Sequence, residues 1–439
     1  MRDLAALLAM LIFVPLALRH TFVAYLLWGW TGLIAINAYL YGFMVPVQYV
    51  LIFALIALGS WFWTKDPEKL PFETNRTTTF FAIFWAHSLL SAIFAYPGLV
   101  RNWDLFSDLT KTLLFCVLMP LLVTSRLRIH ALVLMMVLGT AFHGTVDGLK
   151  FLESAGAHNA SGISKFGDNN GYALVLVMVM PLLYYLYQYS SRRWVRSGFA
   201  AGALLTVLAI VATGSRGGFA GLAAVALWVI LQSRRKFAGI IVVAVIGLMV
   251  YQLAPERWQD RMETIKVAED DSSFMGRVAA WKVNSAIAMA NPVLGGGLRV
   301  VENPVIWAQF KDQPGLLGFV ETPQIASGFK ASHSIWFEVM GDQGFVGLFL
   351  FMAMLANAFF TLREIRALAK RSGQSTRWAI DLTDMLGASL VGYIVSGSLL
   401  SAAYTETPYM LMMLLEVTKL QLRRDTAAVQ PNGTKLGYV

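Results

Sequence analysis

Cysteine is nearly missing: the 439-residue chain has one, Cys116. That excludes a disulfide framework, a cysteine-based zinc site and a CxxC redox pair. Charge is scarce too, at 14% Asp, Glu, Lys and Arg, where soluble domains carry about a quarter. Histidines are few and scattered (His20, His87, His130, His143, His158 and His333) and show no metal-ligand spacing. There is no repeat of the length that builds solenoids and no low-complexity tract. What fills the chain is apolar side chains, 57% of all residues. They come in runs of about 20, enough to cross ~30 Å of hydrocarbon. The runs lack strand-like alternation, and backbone polar groups in lipid must bond within their own segment, so the runs are helices. The expected fold is an all-α integral membrane protein, a polytopic bundle of about 12 transmembrane helices with one large loop containing helices.

The formal charge of +9, from 35 Lys+Arg against 26 Asp+Glu, does not imply nucleic acid, because cytoplasmic loops collect Lys and Arg. Arg126 and Arg128, then Arg192, Arg193 and Arg196, then Arg234, Arg235 and Lys236, thread to one side of the bundle. So do Arg363, Arg366, Lys370, Arg371 and Arg377, and finally Arg423 with Arg424. Placing the 65–76 break on that side leaves the N-terminus on the other, unless an early segment is re-entrant; both options stay open. Residues 1–18 read as a retained segment. The chain divides into N-terminal helices (1–254), one long extramembrane segment (255–332), C-terminal helices (333–422) and a disordered tail (423–439). Within the long segment, Ser272–Ala290 reads as a helix capped by Ser272 or Ser273 and stopped by Asn291-Pro292. Phe274, Val278, Trp281 and Ser285 give it a face apolar enough to lie on the membrane rim. Gly295-Gly296-Gly297 reads as a flexible turn.

Four groups of residues suggest chemistry at the face opposite the basic clusters. Thr213-Gly214-Ser215-Arg216-Gly217-Gly218 makes a tight turn of small residues with Arg216 as its one large group, beside the N-terminus of the next helix. A guanidinium plus a helix N-terminus suits phosphate; an arginine reaching to lipid headgroups suits the same position. Arg277 lies on the Ser272–Ala290 helix with Trp281 one turn on, either facing the same pocket or pairing with Glu269, Asp270 or Asp271. His333, where the chain re-enters the membrane, titrates in the range a general base needs, and a helix start favours its neutral form. The alternative is a capping or interfacial histidine. Glu338 and Asp342 follow and should face the bundle interior, orienting the histidine or pairing with a neighbouring helix. Lys165-Phe166-Gly167-Asp168-Asn169-Asn170-Gly171 precedes another helix, with Asn169 or Asn170 as N-cap and Lys165 and Lys150 adding positive charge.

The turn at Arg216, the Arg277-x-x-x-Trp281 helix leading to Asn291-Pro292-Val293-Leu294-Gly295, and His333-Ser334 before Gly341-Asp342-Gln343-Gly344 occur in the order seen in the O-antigen ligase and polymerase superfamily. Asp168-Asn169-Asn170 resembles that family's Asp-Pro-Asn element, with Asn169 in place of the proline. Residues 1–19 and 144–151 resemble the branch of exosortase-associated O-glycosylation ligases. The resemblance implies a large periplasmic loop over an outward-facing cavity in the bacterial inner membrane. It implies transfer of a glycan from undecaprenyl diphosphate to an acceptor, the lipid A–core oligosaccharide in ligases, with no metal, cofactor or nucleotide. By position, Arg216 and Arg277 would hold the diphosphate and His333 would take the proton of the attacking hydroxyl. Lys165, Asn170 and Trp281 are further candidates for substrate binding.

The chemistry is coherent on its own terms. A diphosphate leaving group gains negative charge as the glycosidic bond breaks, and fixed guanidiniums stabilise it bidentately. One base gives direct displacement with inversion. A polymerase or a protein O-glycosylation ligase would use the same donor chemistry. A lipid-linked sugar transporter would instead gather its ionisable groups near the bilayer midplane, often in repeats; here they gather at one rim.

Overall fold

The computed structural model describes residues 1–63, 73–233, 236–253, 272–323, 325, 328–372 and 376–428. Glu269, Asp270 and Asp271, the expected partners of Arg277, lie outside the described residues, as do Arg234, Arg235 and most of the expected tail. The α-helices are α1 (Arg2–Arg19), α2 (Thr21–Ile34), α3 (Tyr49–Trp63), α4 (Arg76–Ile93), α5 (Asn102–Leu122), α6 (Arg126–Glu153), α7 (Asn169–Tyr189) and α8 (Arg193–Thr213). They continue with α9 (Arg216–Gln232), α10 (Lys236–Leu253), α11 (Ser272–Ala290), α12 (Pro304–Phe310), α13 (Ile335–Ser372), α14 (Arg377–Gly397) and α15 (Glu406–Ala428). All regular structure among the described residues is helical.

Among these residues six helices, α5 to α8, α13 and α14, are long and apolar enough to cross a membrane, and α2, α3 and α9 are shorter apolar helices. Length and apolarity alone therefore do not reach the expected count of about 12. A helix enclosed by protein need not be apolar all round, and α15 illustrates this. Its stretch from Tyr409 to Leu415 is fully buried, while Glu416 and Lys419, also buried, pair with each other at 2.7 Å. α4 likewise buries Thr77, Thr78, Ser88 and Ser91.

Contacts between distant helix ends define two rims. On one, Arg76 pairs with Glu364 of α13, Arg126 lies over the rings of Tyr189 and Trp378, and Arg366 pairs with Asp384 at 2.6 Å. The described basic clusters share this rim, as their threading predicts. On the other rim, Lys165 pairs with Glu406 at the start of α15 and donates to the Gly32 carbonyl near the end of α2. The Asp3 carboxylate accepts from the amides of Gly42 and Met44, both at 3.0 Å, in the loop after α2. The start of α1 thus lies with the loop after α2, opposite the basic rim.

α11 has the expected bounds; its small apolar side chains pack inward, while Phe274 of the expected rim face stays exposed. Ala279, Ala280, Val283, Ala286 and Ile287 pack with Ile306, Trp307 and Phe310 of α12 into a small core of their own, and α11 lies against α13. Burying these side chains between helices removes more apolar surface from water than laying one face on an interface.

The Gly295-Gly296-Gly297 segment is a fixed docking strip, not a flexible turn. Gly296 and Gly297 donate to the carbonyls of Gly341 and Asp342, both at 2.9 Å, and Phe345 N–H donates to the Pro292 carbonyl at 2.8 Å. The strip meets α13 where that helix breaks at Gly344, with φ 69° and ψ −171°. Gly295 has φ +67°, and a Cβ there would lie 2.5 Å from backbone atoms of Asp342, Gln343 and Gly344. Two glycine-rich stretches distant in sequence are therefore backbone against backbone, and only glycine allows that approach.

Candidate functional site

α8 ends and α9 begins in one tight turn on the rim opposite the basic clusters. Gly214 takes φ +61°, ending α8, and Ser215 caps α9 by accepting from Gly218 N–H at 3.1 Å. The N-cap puts Arg216 at the first helical position. Gly221 lets α9 close on α14, since a Cβ there would lie 1.9 Å from Ser396 Oγ. Ser396 Oγ in turn donates to the Gly217 carbonyl at 2.9 Å. The turn is tied to α7 as well: Ser215 donates to Asn170 Oδ1 at 2.8 Å, and Asn169 Nδ2 donates to the Thr213 carbonyl at 2.8 Å. The cap of α7 is Asp168 rather than either asparagine; its carboxylate accepts from Asn170 and Gly171 N–H at 3.0 and 2.8 Å. That frees both asparagines to brace the turn.

These elements enclose a cavity of about 360 Å³ whose wall includes Asn169, Asn170, Ser215, Arg216, Arg277 and Ser396. Arg216 and Arg277, 61 positions apart in the chain, thus line one space together with the N-terminus of α9. The volume is at the lower end of small-ligand pockets. Guanidiniums and a helix N-terminus in one wall are chemically suited to an anion.

His333 is not among the residues that line this cavity, but Arg277, which does, is close enough for its charge to act on the ring. The His333 backbone takes the left-handed conformation, φ +44°, and its N–H donates to Ser401 Oγ at 2.8 Å, next to Leu399 and Leu400 of the cavity wall. A histidine rarely holds positive φ unless its surroundings impose it. Here α11 does so over two turns. Trp281 Nε1 donates to the Ser332 carbonyl at 2.7 Å, and Asn284 Nδ2 donates to Ser332 Oγ at 2.8 Å. Arg277, Trp281 and Asn284 share one helix face, so the helix that presents a guanidinium to the cavity also fixes the residue before the histidine. Burial of the ring, then the charge of Arg277, holds the His333 imidazole below its ordinary range; Lys330 and Arg299 act in the same direction and Asp168 opposes them. Its Nδ1 is buried with no hydrogen-bond partner among the described residues. A neutral imidazole with an uncommitted ring nitrogen can accept a proton.

Other residues singled out from sequence are engaged elsewhere. Lys165 is in its ion pair with Glu406 and does not line the cavity. Trp281 also stacks on Phe337, with ring centroids 5.1 Å apart and planes 6° from parallel, so it braces the site from behind. Glu338 and Asp342 do not contact the histidine side chain: Glu338 pairs with Arg299 at 3.1 Å and accepts from Ala403 N–H at 3.0 Å, and Asp342 accepts from Tyr404 OH at 3.1 Å. Arg299 was not foreseeable from its local sequence. It has φ +61°, pairs with Glu302 at 2.6 Å and donates to the Ser401 carbonyl at 3.4 Å. Burial opposes its charge, but Glu338 and Glu302 outweigh that and hold it firmly protonated.

No curated protein matches the chain. Residues 1–191 match a family of unknown function. Residues 201–352 match the family described as O-Antigen ligase, and that stretch contains Arg216, Arg277 and His333. The match over residues 201–352 supports the O-antigen ligase superfamily for this chain.

Proposed function

We propose that this protein moves a glycan from undecaprenyl diphosphate to the lipid A–core oligosaccharide, on the periplasmic side of the bacterial inner membrane. What supports the reading is that Arg216 and Arg277 line one cavity, with His333 within electrostatic reach of Arg277. The basic rim faces the cytoplasm by the positive-inside tendency, which turns the cavity outward.

In this reading the two guanidiniums and the N-terminus of α9 hold the diphosphate. An acceptor hydroxyl oxygen attacks the anomeric carbon as His333 takes the hydroxyl proton. The bond from anomeric carbon to phosphate oxygen breaks, its electron pair leaves on the diphosphate, and the anomeric carbon inverts. The charge that grows on the leaving group is met by donors already in place, which is where preorganised electrostatics lower a barrier most. The proton then passes from the imidazolium to solvent, and undecaprenyl diphosphate departs.

The test uses purified protein in detergent, with no second compartment, given donor and acceptor together. His333→Ala is expected to lose at least ~10²-fold in transfer rate, the usual contribution of a positioned base, while its elution profile stays that of wild type. Wild-type transfer by that variant contradicts the base assignment. A folded wild-type protein that joins no glycan to any acceptor contradicts the reading as a whole.

A further inference from the structure

A second cavity of about 360 Å³ adjoins the first, and Asn169 stands in the wall of both. It is an open groove formed by the segment between α6 and α7, lined by Asn159, Ser161, Ser164, Asp168 and Asn169 among others. We propose that this groove binds the sugar rings of the acceptor and brings the attacking hydroxyl to His333; the inference rests on the glycan-transfer reading.

The groove is built on a fixed backbone. His158 N–H donates to Ser154 Oγ at 2.8 Å, and its ring nitrogen Nε2 meets Asp147 of α6 at 3.1 Å. Ala160, fully buried, donates to the Ala212 carbonyl at the end of α8 at 3.0 Å. Gly162, with φ +71°, lies so close to Tyr172 that a Cβ would meet the ring at 2.7 Å. Tyr172 OH donates to the other Asp147 oxygen at 2.9 Å, and the Phe166 ring stacks on Tyr172 at 5.3 Å. Residues 158 and 160 are thus turned to the protein, while Asn159 and Ser161 stand exposed in the groove. Asp147, in the stretch 144–151 that sequence singled out, is the post to which both walls are tied.

The chemistry of the lining selects the ligand. Hydroxyl and carboxamide groups exchange hydrogen bonds with sugar hydroxyls in both directions. A phosphate is disfavoured because the charge in this wall is the carboxylate of Asp168, and an acyl chain is disfavoured because, Ile163 apart, the lining has no apolar side chain. The first donor sugar is bonded to the diphosphate and so belongs in the arginine cavity. The attacking hydroxyl must arrive from the other side, at the base. Asn169, in the wall of both cavities, joins the groove to the arginine cavity, and the charge of Asp168 in the groove wall acts on His333. Holding these small side chains on a rigid backbone limits the entropy lost on binding.

The experiment is steady-state kinetics of the full chain in detergent, with undecaprenyl-diphosphate glycan as donor and uncapped lipid A–core as acceptor. The double variant Asn159→Ala/Ser161→Ala is expected to raise the acceptor KM about tenfold, the effect of losing two hydrogen bonds, with donor KM and kcat unchanged. Ser161→Trp, which fills the groove, is expected to do so more strongly. An unchanged acceptor KM in both variants, or a raised donor KM, overturns the proposal. Direct titration of uncapped lipid A–core without donor keeps the groove testable if turnover fails. Tighter binding by wild type than by the double variant supports the groove even where the absence of turnover counts against the transfer reading, and equal binding overturns the groove.

Discussion

Trp281→Phe separates positioning from binding. The indole N–H donates to the Ser332 carbonyl at 2.7 Å, and the ring stacks on Phe337 at 5.1 Å. Phenylalanine keeps an aromatic face against Phe337 and deletes the donor. Ser332 is only 2% exposed, so the carbonyl left behind loses a partner in a place where water enters poorly. Losing one hydrogen bond costs about 1 kcal/mol, and stranding a buried acceptor up to about 3 kcal/mol. Ser332 precedes His333, whose φ of +44° depends on its neighbours, so relaxation there displaces the imidazole. Small displacements of a catalytic group act on the chemical step. The expected outcome is a roughly 5- to 100-fold fall in kcat, with donor KM within about twofold of wild type because Arg216 and Arg277 are untouched. The assay is steady-state transfer with purified protein, with thermal unfolding run alongside. A variant with wild-type kcat refutes the tether. A raised donor KM at unchanged kcat returns Trp281 to a direct substrate-binding role.

Two further outcomes follow from the same geometry. The base must be neutral to act, and burial with Arg277 holds His333 below its ordinary range, so wild-type transfer persists at pH values below ~6.5. Removing a cation raises that pKa, so Arg277→Gln moves the acid limb of the rate profile to higher pH, and Asp168→Asn moves it lower; limbs that stay put contradict the assignment. Gly295→Ala forces a Cβ to 2.5 Å from the α13 backbone at φ +67°, a conformation that alone costs roughly 1–2 kcal/mol. Its thermal midpoint and transfer rate both fall, whereas Gly198→Ala, with open space at the Cβ position within α8, is neutral or slightly stabilising in the same unfolding assay.

What sequence reveals here is local, and what it hides is long-range. The bounds of α11, its stop at Asn291-Pro292 and the tight turn at Gly214 are carried by caps and breakers that act within a few residues. The gathering of Arg216 and Arg277 was legible as an expectation because their helix ends thread to one rim. The cap of α7 was misplaced because Asp168, Asn169 and Asn170 are all good caps, and the asparagines are drawn away by Thr213 and Ser215, more than forty positions on. Lys165 looked like a cation for substrate, but its partner Glu406 lies 241 positions away. Gly295-Gly296-Gly297 looked flexible because glycine's freedom is visible locally, while the α13 backbone that restrains it is not. Arg299 left no local sign because its role depends on Glu338 and Ser401.

The account turns on two guanidiniums holding one diphosphate, and a double-mutant cycle measures that directly. Arg216→Gln, Arg277→Gln and the double variant are compared by kcat/KM for the undecaprenyl-diphosphate donor. Groups that grip the same anion are coupled by about 0.5–3 kcal/mol. The double variant is therefore expected to lose at least about twofold less than the product of the two single losses. Losses that simply multiply mean that the two arginines act on separate groups, and the shared diphosphate site is then wrong.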